Sequence, residues 1–520
     1  MLLAAHWFVN ASLGPGLLAV EALLIVGVFA LLPEAGWVRA LAYACSAVVI
    51  SGAVVDLGDV LAKQVLGRPL NLYLDFRLLD AVKNLLWGMA GPLATVLAGL
   101  VALGLVAALV TGVGRLLSTL GPTEPGLSAR VTGLLLLIAF FTAGLAGGKV
   151  SALGQVVQTP LVRVLRDQGS LTRRTMEERA RFEAELEGST ASYAAQPGLL
   201  RGLGGRDVVM AFVESYGMTV LTDARYRPVV MPRLAEMERS LTEAGLTLAT
   251  GRLEAPSQGG QSWLGHGSVL SGLWLENQLR YDLLMASDRE TLVDDFRAAG
   301  YRTAAVVPAI TMAWPEGQRL GYDEVYDHEA IDYAGPALNW VTMPDQFTWS
   351  FLERRLRASA ADSSPLFAEV SLISSHAPWT PILPVLEDWS RIGDGSVFEA
   401  WRDEGETPAE LWRDHDRVRE YYALSVDYAL ATATAYAQQF VGNNTLLMVL
   451  GDHQPAPMIT GDDAPRTVPI HVIAGDPKIV EPFLDWGFTR GALPDPEGTV
   501  RRMDEFRDWF IHAYSRTDAK

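Results

Sequence analysis

The feature that most constrains this chain is an uncharged stretch from Leu85 to Val113. It exceeds the roughly 20 apolar residues that an α-helix needs to cross a membrane. We therefore interpret it as a membrane span. Three other apolar segments flank it, at Leu17–Leu32, Trp37–Val55 and Val131–Gly147. The sequence thus predicts a transmembrane domain over residues 1–148, with about four α-helical spans.

The segment between the second and third spans, residues 59–84, mixes many leucines with charged side chains. This mixture predicts an amphipathic helix in the membrane interface, which would hold a site near lipid headgroups. A plain extramembrane loop is the alternative. The composition changes near residue 149, and residues 149–205 predict a linker helix followed by a glycine- and serine-containing loop.

Overall composition agrees with a chain made of two parts. The 520 residues are 49% hydrophobic, and the formal net charge is −18. An acidic chain of this kind does not favour nucleic acid as a partner. The single cysteine, Cys45, lies in a predicted span, which excludes internal disulfides and a cysteine-based metal site.

Residues 206–520 alternate between strand and helix patterns. This alternation predicts an α/β fold, a mostly parallel sheet with helices on both faces. The strand candidates are 208–213, 302–307, 366–373, 446–450 and 469–474, and the clearest helical stretches are 343–358, 420–440 and 500–515.

Two of the predicted strands end in residues that bind metals. Residues 208–213 lead directly into Glu214, and residues 446–450 lead into Gly451, Asp452 and His453. Ligands of α/β sheets bind beyond the carboxyl ends of the strands, so these side chains are expected at one edge. Oxygen and imidazole ligands suit a divalent cation such as Zn²⁺ or Mn²⁺. Two ordinary strands with polar ends are the alternative.

A glycine-containing segment supplies a candidate nucleophile. Gly259 and Gly260 precede Gln261 and Ser262, and a helical pattern begins at or just after Ser262. A helix amino terminus offers free N–H groups to a phosphate. Metal coordination would acidify the Ser262 hydroxyl, so that it attacks phosphorus. The alternative is that Ser262 merely caps the helix.

Residues 206 to about 475 resemble the alkaline-phosphatase-like sulfatase superfamily, and within it the branch of lipoteichoic acid synthases and phosphoglycerol transferases. The membrane-spanning front and linker helix are similar too. The matching stretches are Asp207–Ser215, Gly259–Ser262, Ser374–Trp379, Tyr421–Leu430 and Gly451–His453.

Carried over residue by residue, the resemblance implies that the metal ligands are Glu214, Ser262, Asp452 and His453. Ser262 stands where this branch usually has a threonine nucleophile. His376 matches a histidine that contacts the phospho-group, where it would bind a phosphoryl oxygen or protonate the leaving group.

Other features of the resemblance concern the substrate. Trp314 and Arg319 are the candidates for holding a phosphoglycerol headgroup, although their spacing departs from the family pattern. The Cys/Ser-x-Pro-x-Arg signature of true sulfatases is missing after Ser262. Phosphoethanolamine transferases are typically rich in disulfides, which disfavours them here without excluding them.

The resemblance implies a metal-dependent phosphotransferase that moves a phosphoglycerol-type group through a phosphoserine. The donor would be a phospholipid, the acceptor a glycan or glycerol-type hydroxyl, and the cofactor Mn²⁺, Zn²⁺ or Mg²⁺. A phosphate ester hydrolase with the same site is the main alternative, and an inactive membrane scaffold is another.

Membrane topology is the point on which two expectations disagree. Four spans put the amino terminus and the large domain on the same side, together with a loop that contains Lys63, Arg68, Arg77 and Lys83. Counting Lys and Arg alone predicts a cytoplasmic domain. The resemblance implies a multi-pass protein of the inner cell membrane, with its catalytic domain in the periplasm.

Overall fold

The computed structural model describes residues 18–76, 78–120, 127–147, 157–188, 192–358 and 364–515. These residues form two compact units, which meet in sequence between Glu178 and Arg179; only Val65–Gly67 belong to the second unit while lying within the first part of the chain. This division falls inside a helix, earlier in the chain than the expected start of the α/β domain at residue 206.

The first unit is mainly helical. Strands β1 (Leu18–Ala19) and β2 (Val157–Gln158) pair in parallel. The helices are α1 (Val20–Leu31), α2 (Gly36–Leu66), α3 (Leu72–Asp75), α4 (Leu78–Ser118), α5 (Leu127–Gly147) and α6 (Pro160–Gly188), of which α6 continues into the second unit.

Two of the four expected spans form helices that are long and apolar enough to cross a membrane. These are Gly36–Leu66 and Gly91–Ser118, while Glu21–Leu31 and Val131–Phe141 are shorter apolar helices. Helix α4 is interrupted at Gly91, whose φ is 79°, because Pro92 follows and has no N–H to donate. Four complete spans therefore stay a prediction.

The single amphipathic helix expected over residues 59–84 is wrong. Residues 59–66 instead end α2, the four residues of α3 follow, and residues 78–84 begin α4. Gly67 takes a φ of 61° and Pro69 lacks an N–H, so α2 cannot continue. The side chain of Asn71 then caps α3 by accepting a hydrogen bond from the Tyr73 N–H at 3.1 Å.

The second unit is built on a nine-stranded mixed sheet. Its strands are β3 (Asp207–Val213), β4 (Thr247–Glu254), β5 (Arg302–Val306), β6 (Glu324–Tyr326), β7 (Leu366–Leu372), β8 (Thr445–Gly451), β9 (Thr467–Ala474), β10 (Thr489–Arg490) and β11 (Val500–Arg502). The order is β10-β4-β9-β8-β3-β7-β5-β6, with β11 beside β4. All five predicted strands are confirmed. The central block of β8, β3, β7, β5 and β6 is parallel, whereas β9 runs antiparallel to β8 and β4.

Helices connect and cover these strands, as the α/β prediction requires. They are α7 (Thr219–Thr222), α8 (Arg227–Glu243), α9 (Ser262–Ser271), α10 (Gln278–Ala286), α11 (Leu292–Ala298), α12 (Pro315–Arg319), α13 (Asp345–Phe351), α14 (Pro408–Leu411), α15 (His415–Phe440), α16 (Pro457–Thr460), α17 (Pro477–Asp485) and α18 (Phe506–Tyr514). A π-helical turn, Leu352–Arg357, extends α13. The helix expected over 500–515 is shorter, because residues 500–502 pair with β4.

The alternation of side chains along β3 explains why the sheet is covered on both faces. Val209 and Ala211 belong to one buried cluster, which includes residues of α8 and α15. Met210 and Phe212 belong to another, which includes residues of α9, α11 and α18. Successive strand residues point to opposite faces, so a continuously apolar strand needs helices on each side.

Candidate metal centre and active site

Parallel pairing brings the predicted metal ligands together at the carboxyl ends of two neighbouring strands. Val213 of β3 lies opposite Gly451 of β8, so the chain leaves both strands at the same level. Glu214 follows the first strand, and Asp452 and His453 follow the second, with both of these last residues almost fully buried. The prediction that these residues gather at one sheet edge is confirmed.

The three side chains form a compact cluster of donor atoms. His453 Nε2 lies 3.3 Å from Glu214 Oε1 and 3.7 Å from Asp452 Oδ2. One ligand atom from each residue lies within 4.8 Å of the others. His453 Nδ1 lies 2.8 Å from the carbonyl oxygen of Gln454, to which it donates, so Nε2 is the ring nitrogen that faces the carboxylates.

Hydrogen bonds from neighbouring groups orient both carboxylates. The N–H groups of Ser215 and His453 donate to Asp452 Oδ1 at 2.8 Å and 2.6 Å. The Ser215 hydroxyl donates to Glu214 Oε1 at 2.8 Å. Such supporting hydrogen bonds are typical around metal ligands, because they fix the direction of the remaining lone pairs.

Burial and mutual interactions shift the pKa values of all three side chains of the cluster. Burial and then the charge of Glu214 raise the pKa of Asp452 to about 7. Burial lowers the pKa of His453, but Asp452 and Glu214 outweigh it and raise the value to about 9. Burial also opposes ionisation of Glu214, yet the charge of His453 lowers its pKa overall. Two repelling carboxylates therefore depend on a nearby positive charge.

The donor set fits a divalent cation. His453 Nε2 is buried and has no hydrogen-bond partner within the described part of the chain. Because buried polar atoms normally have partners, we expect this atom to bind a metal. Two carboxylates and one imidazole, whose Nε2 proton a bound metal would displace, match the ligands of Zn²⁺ or Mn²⁺. Glu214, Asp452 and His453 would hold the ion.

Ser262 lies beside this cluster as the first residue of α9. Its hydroxyl donates to Glu214 Oε2 at 3.2 Å. Gly259, Gly260 and Gln261 precede it with φ values of 75°, 143° and 62°, a sharp turn that starts the helix at the sheet edge. Gln261 occupies the cap position, so the Ser262 hydroxyl faces Glu214 rather than serving as the cap.

Gly265 allows helix α9 to approach the metal cluster closely. A Cβ atom at Gly265 would lie 2.6 Å from the carbonyl oxygen of Asp452. No L side chain fits at that distance, so the helix can pack directly against the metal cluster only with glycine there. The contact sets the separation between Ser262 and the carboxylates.

His376 and Trp314 share a cleft with Ser262. The cleft has a volume of about 310 Å³, and Glu214 and Asp452 also contribute to its wall. His376 follows β7, donates from Nδ1 to the carbonyl oxygen of Ala377 at 2.5 Å, and stacks on Trp340 at 3.6 Å between ring centroids. Both predicted positions are therefore available to a bound substrate.

The structure does not place Arg319 beside Trp314 in the cleft, where the predicted headgroup role would need it. The Nη2 group of Arg319 donates to the carbonyl oxygens of Ser287 and Arg289. These acceptors lie outside the cleft, and Arg319 does not contribute to its lining. Helix α12 turns the chain by more than one turn between Trp314 and Arg319, which separates the two side chains.

The cleft also contains polar residues that sequence reasoning missed. His266 and Glu369 line it, and His266 Nδ1 lies 2.5 Å from Glu369 Oε1. The available signal was a glutamate inside the apolar strand β7, since an ionised group in a buried strand needs a partner. Trp340 lies in an irregular segment, and its sequence context gave no comparable signal.

His471 lies near the site but has a structural role. It is fully buried on β9, with Nε2 2.9 Å from the Tyr216 hydroxyl and Nδ1 2.9 Å from the Thr250 hydroxyl. Burial lowers its pKa to about 3, so the ring is neutral.

Comparison with known proteins gives a family for this domain. A family model described as Sulfatase matches residues 267–472, which include His376, Asp452 and His453. No curated protein sequence matched the chain. The resemblance to the sulfatase superfamily is thus confirmed over residues 267–472, which match the Sulfatase family.

Several solved structures are similar to the chain. The lipoteichoic acid synthase LtaP from Listeria monocytogenes is 13% identical, with 56% of this chain and 71% of that chain covered and a TM-score of 0.38. The phosphoglycerol transferase GacH from Streptococcus pyogenes is 12% identical, with coverages of 57% and 74% and a TM-score of 0.36. The periplasmic domain of EptC from Escherichia coli, solved with zinc, is 13% identical, with coverages of 60% and 82% and a TM-score of 0.38.

Proposed function

We propose that this chain is a membrane-anchored, metal-dependent phosphotransferase. It would move a phosphoglycerol-type group from a phospholipid, such as phosphatidylglycerol, to a glycan or glycerol-type hydroxyl. Ser262 would carry the group in a covalent phosphoserine. The proposal keeps the large domain outside the cytoplasm, where such acceptors are found.

The observation that carries the proposal is the position of the Ser262 hydroxyl. It contacts Glu214 Oε2 at the edge of the metal cluster and also lines the cleft. A hydroxyl in this place reaches both a bound cation and a bound substrate. A divalent cation there would favour the ionised hydroxyl and stabilise charge on the phosphoryl oxygens.

The protein groups around the serine support phosphoryl transfer. Ser262 begins a ten-residue helix, whose free N–H groups favour an anion at this end. His376 lines the same cleft, so it can hydrogen-bond to a phosphoryl oxygen or to the departing oxygen. Glu214 accepts the serine hydrogen bond, which directs the oxygen of Ser262 before attack.

The lining of the cleft favours a substrate that is largely apolar beyond its phosphate. Neither Lys nor Arg is among the described residues that form the wall. The apolar members include Trp263, Leu270, Ile310, Trp314 and Trp340. Such a wall suits the glycerol ester part of a lipid better than a highly charged phosphate monoester.

The test follows diacylglycerol release by the full-length protein in mixed micelles of detergent and phosphatidylglycerol. Ser262→Ala is expected to lose release and labelling of the protein by a radiolabelled headgroup. Ser262→Thr retains a hydroxyl and serves as the matched control. If Ser262→Ala releases diacylglycerol at the wild-type rate, the nucleophile assignment is wrong.

A hydrolase that uses the same residues is the second candidate, favoured by the Sulfatase family match. Product analysis separates the two. A transferase gives a phosphodiester of added glycerol or glycan, whereas a hydrolase gives the free phosphoglycerol whether or not acceptor is present. A phosphoethanolamine transferase would instead require phosphatidylethanolamine as donor.

A further inference from the structure

A second histidine–carboxylate group lies in the cleft, apart from the metal cluster. Glu369 extends from β7 and is almost fully buried. Its Oε1 faces His266 Nδ1 at 2.5 Å, and its Oε2 accepts a hydrogen bond from the Tyr322 hydroxyl. Both carboxylate oxygens therefore have hydrogen-bond partners, and His266 is paired with a single carboxylate, whereas His453 faces two.

These hydrogen bonds fix the proton positions on His266. Burial and the neighbouring Glu369 raise the pKa of Tyr322 well above its usual value, so the phenol stays protonated and donates. A carboxylate that accepts from Tyr322 can bind His266 only as an acceptor, which places the imidazole proton on Nδ1. With the proton on Nδ1, Nε2 is the ring nitrogen that can accept a proton.

The helix places this ring close to the nucleophile. His266 follows Ser262 by four residues on α9, so the two side chains share one face of the helix. The ring stacks on Phe212 at 3.8 Å between centroids, and 15% of the side chain is exposed. Since His266, Ser262 and Glu369 all line the cleft, the exposed part of the ring meets the space where substrate binds.

We propose that His266 is the general base of the second half-reaction, in which an acceptor hydroxyl releases the phosphoserine at Ser262. Glu369 and Tyr322 are positioning residues that hold its ring and tautomer. The inference rests on the proposed function and adds the group that activates the acceptor. The arrangement of base and orienting carboxylate follows the logic of nucleophile–histidine–acid sites.

The step balances in atoms and protons. The acceptor oxygen forms a bond to phosphorus as the bond between phosphorus and Ser262 Oγ breaks. His266 Nε2 takes the acceptor proton and then returns it to Ser262 Oγ, which regenerates the neutral ring and the serine hydroxyl. Water as acceptor follows the same course and gives hydrolysis.

The experiment separates the two half-reactions in the full-length protein. Phosphatidylglycerol with a radiolabelled headgroup is supplied as a pulse, and unlabelled glycerol is added as the chase. In His266→Gln we expect the first turnover of diacylglycerol to stay within about threefold of wild type. Loss of label from Ser262 should slow about 100-fold, as is typical when a general base is removed.

Two further variants test the arrangement around the ring. Glu369→Gln keeps an acceptor for His266 but removes its charge, and should slow loss of label about 10-fold. His266→Ala leaves space in the cleft, and added imidazole should restore loss of label. A purely structural role for His266 would not respond to imidazole. His512→Gln, an exposed histidine that bonds the Asp508 carbonyl, is the control.

The outcomes are distinguishable. Label that leaves His266→Gln at the wild-type rate overturns the role of His266 and leaves the proposed function standing. Equal losses in both half-reactions, without rescue by imidazole in His266→Ala, also overturn it. A wild-type protein that never becomes labelled overturns the proposed function, and this inference with it.

Discussion

The two histidine–carboxylate groups of the cleft use the same residue types for different purposes. At the ends of β3 and β8, His453 faces two carboxylates that repel each other, and its Nε2 has no hydrogen-bond partner among the described residues. On β7 and α9, Glu369 is satisfied by His266 and Tyr322. The first arrangement fits a cation, whereas in the second the carboxylate is already satisfied by hydrogen bonds and orients a proton. Arrangement, more than composition, distinguishes a metal ligand from a base.

The largest expected effect comes from a substitution in the metal cluster of Glu214, Asp452 and His453. Asp452→Asn keeps the side-chain shape but removes a negative charge from the cluster. We expect loss of the bound divalent ion and a fall in diacylglycerol release on the order of 10³-fold. Elemental analysis and the release assay measure these. The control is Asp427→Asn on α15, which breaks an ion pair with Arg233 of α8. This variant should retain its metal.

The increase in Tm on addition of metal should depend on the metal cluster and not on Glu369. A divalent ion that binds only the folded protein, supplied at about 1,000 times its Kd, would stabilise the fold by about 4 kcal/mol, and Mn²⁺ and Zn²⁺ are the ions to test. Thermal unfolding of the detergent-solubilised protein should show a higher Tm with metal for wild type and for Glu369→Gln. Glu214→Gln should show no increase; an equal increase in that variant would contradict the ligand assignment.

A third buried carboxylate sharpens the comparison, because Asp345 also has an oxygen without a partner in the described structure. Its Oδ1 accepts from the Ser374 N–H at 2.8 Å, and burial raises its pKa to about 6 from 3.8. The folded state therefore holds this proton more tightly, and the stability it contributes below pH 3.8 is lost as pH rises through about 6.

Asp345→Asn should remove that part of the pH dependence, about 2–3 kcal/mol between pH 4 and pH 6. Thermal unfolding of variant and wild type across this range measures it. Addition of metal should leave most of the difference in place, because burial, more than the charge of Glu214, raises the pKa of Asp345. A difference that disappears with metal would place Asp345 among the ligands.

The smallest expected effect concerns His376, which is held by an aromatic ring. Trp340→Leu removes the stacking at 3.6 Å and should weaken substrate binding by about threefold to tenfold, seen mainly in KM. Trp412→Leu, an exposed tryptophan that stacks on Trp379, is the control and should leave KM unchanged. An unchanged KM in Trp340→Leu would show that the Ala377 carbonyl alone orients His376.

The sequence predicted those parts of the site that depend on strand ends. Glu214, Asp452 and His453 follow continuous apolar strands, and parallel pairing makes their meeting a consequence of the fold. Ser262 was identified because glycines and a helix start surround it. Strand β4 was missed because its residues alternate between apolar and polar types and it pairs antiparallel with β9.

The parts that the structure did not bring together, or that were missed, depend on side-chain contacts between distant segments. Arg319 follows Trp314 closely in sequence, yet the intervening helix directs its guanidinium to the carbonyls of Ser287 and Arg289. His266 and Glu369 are separated by 103 positions, and only the sheet brings them together. No local pattern encodes such a contact.

The left-handed backbone of Gln261 has a consequence for the speed of the reaction. A non-glycine residue at a φ of 62° is held at an energetic disadvantage of about 1 kcal/mol or more by its surroundings. The turn is thus set during folding, and Ser262 need not reorganise when a substrate binds. Gln261→Gly would relax the turn, and the position of the Ser262 hydroxyl would then be less fixed before substrate binds.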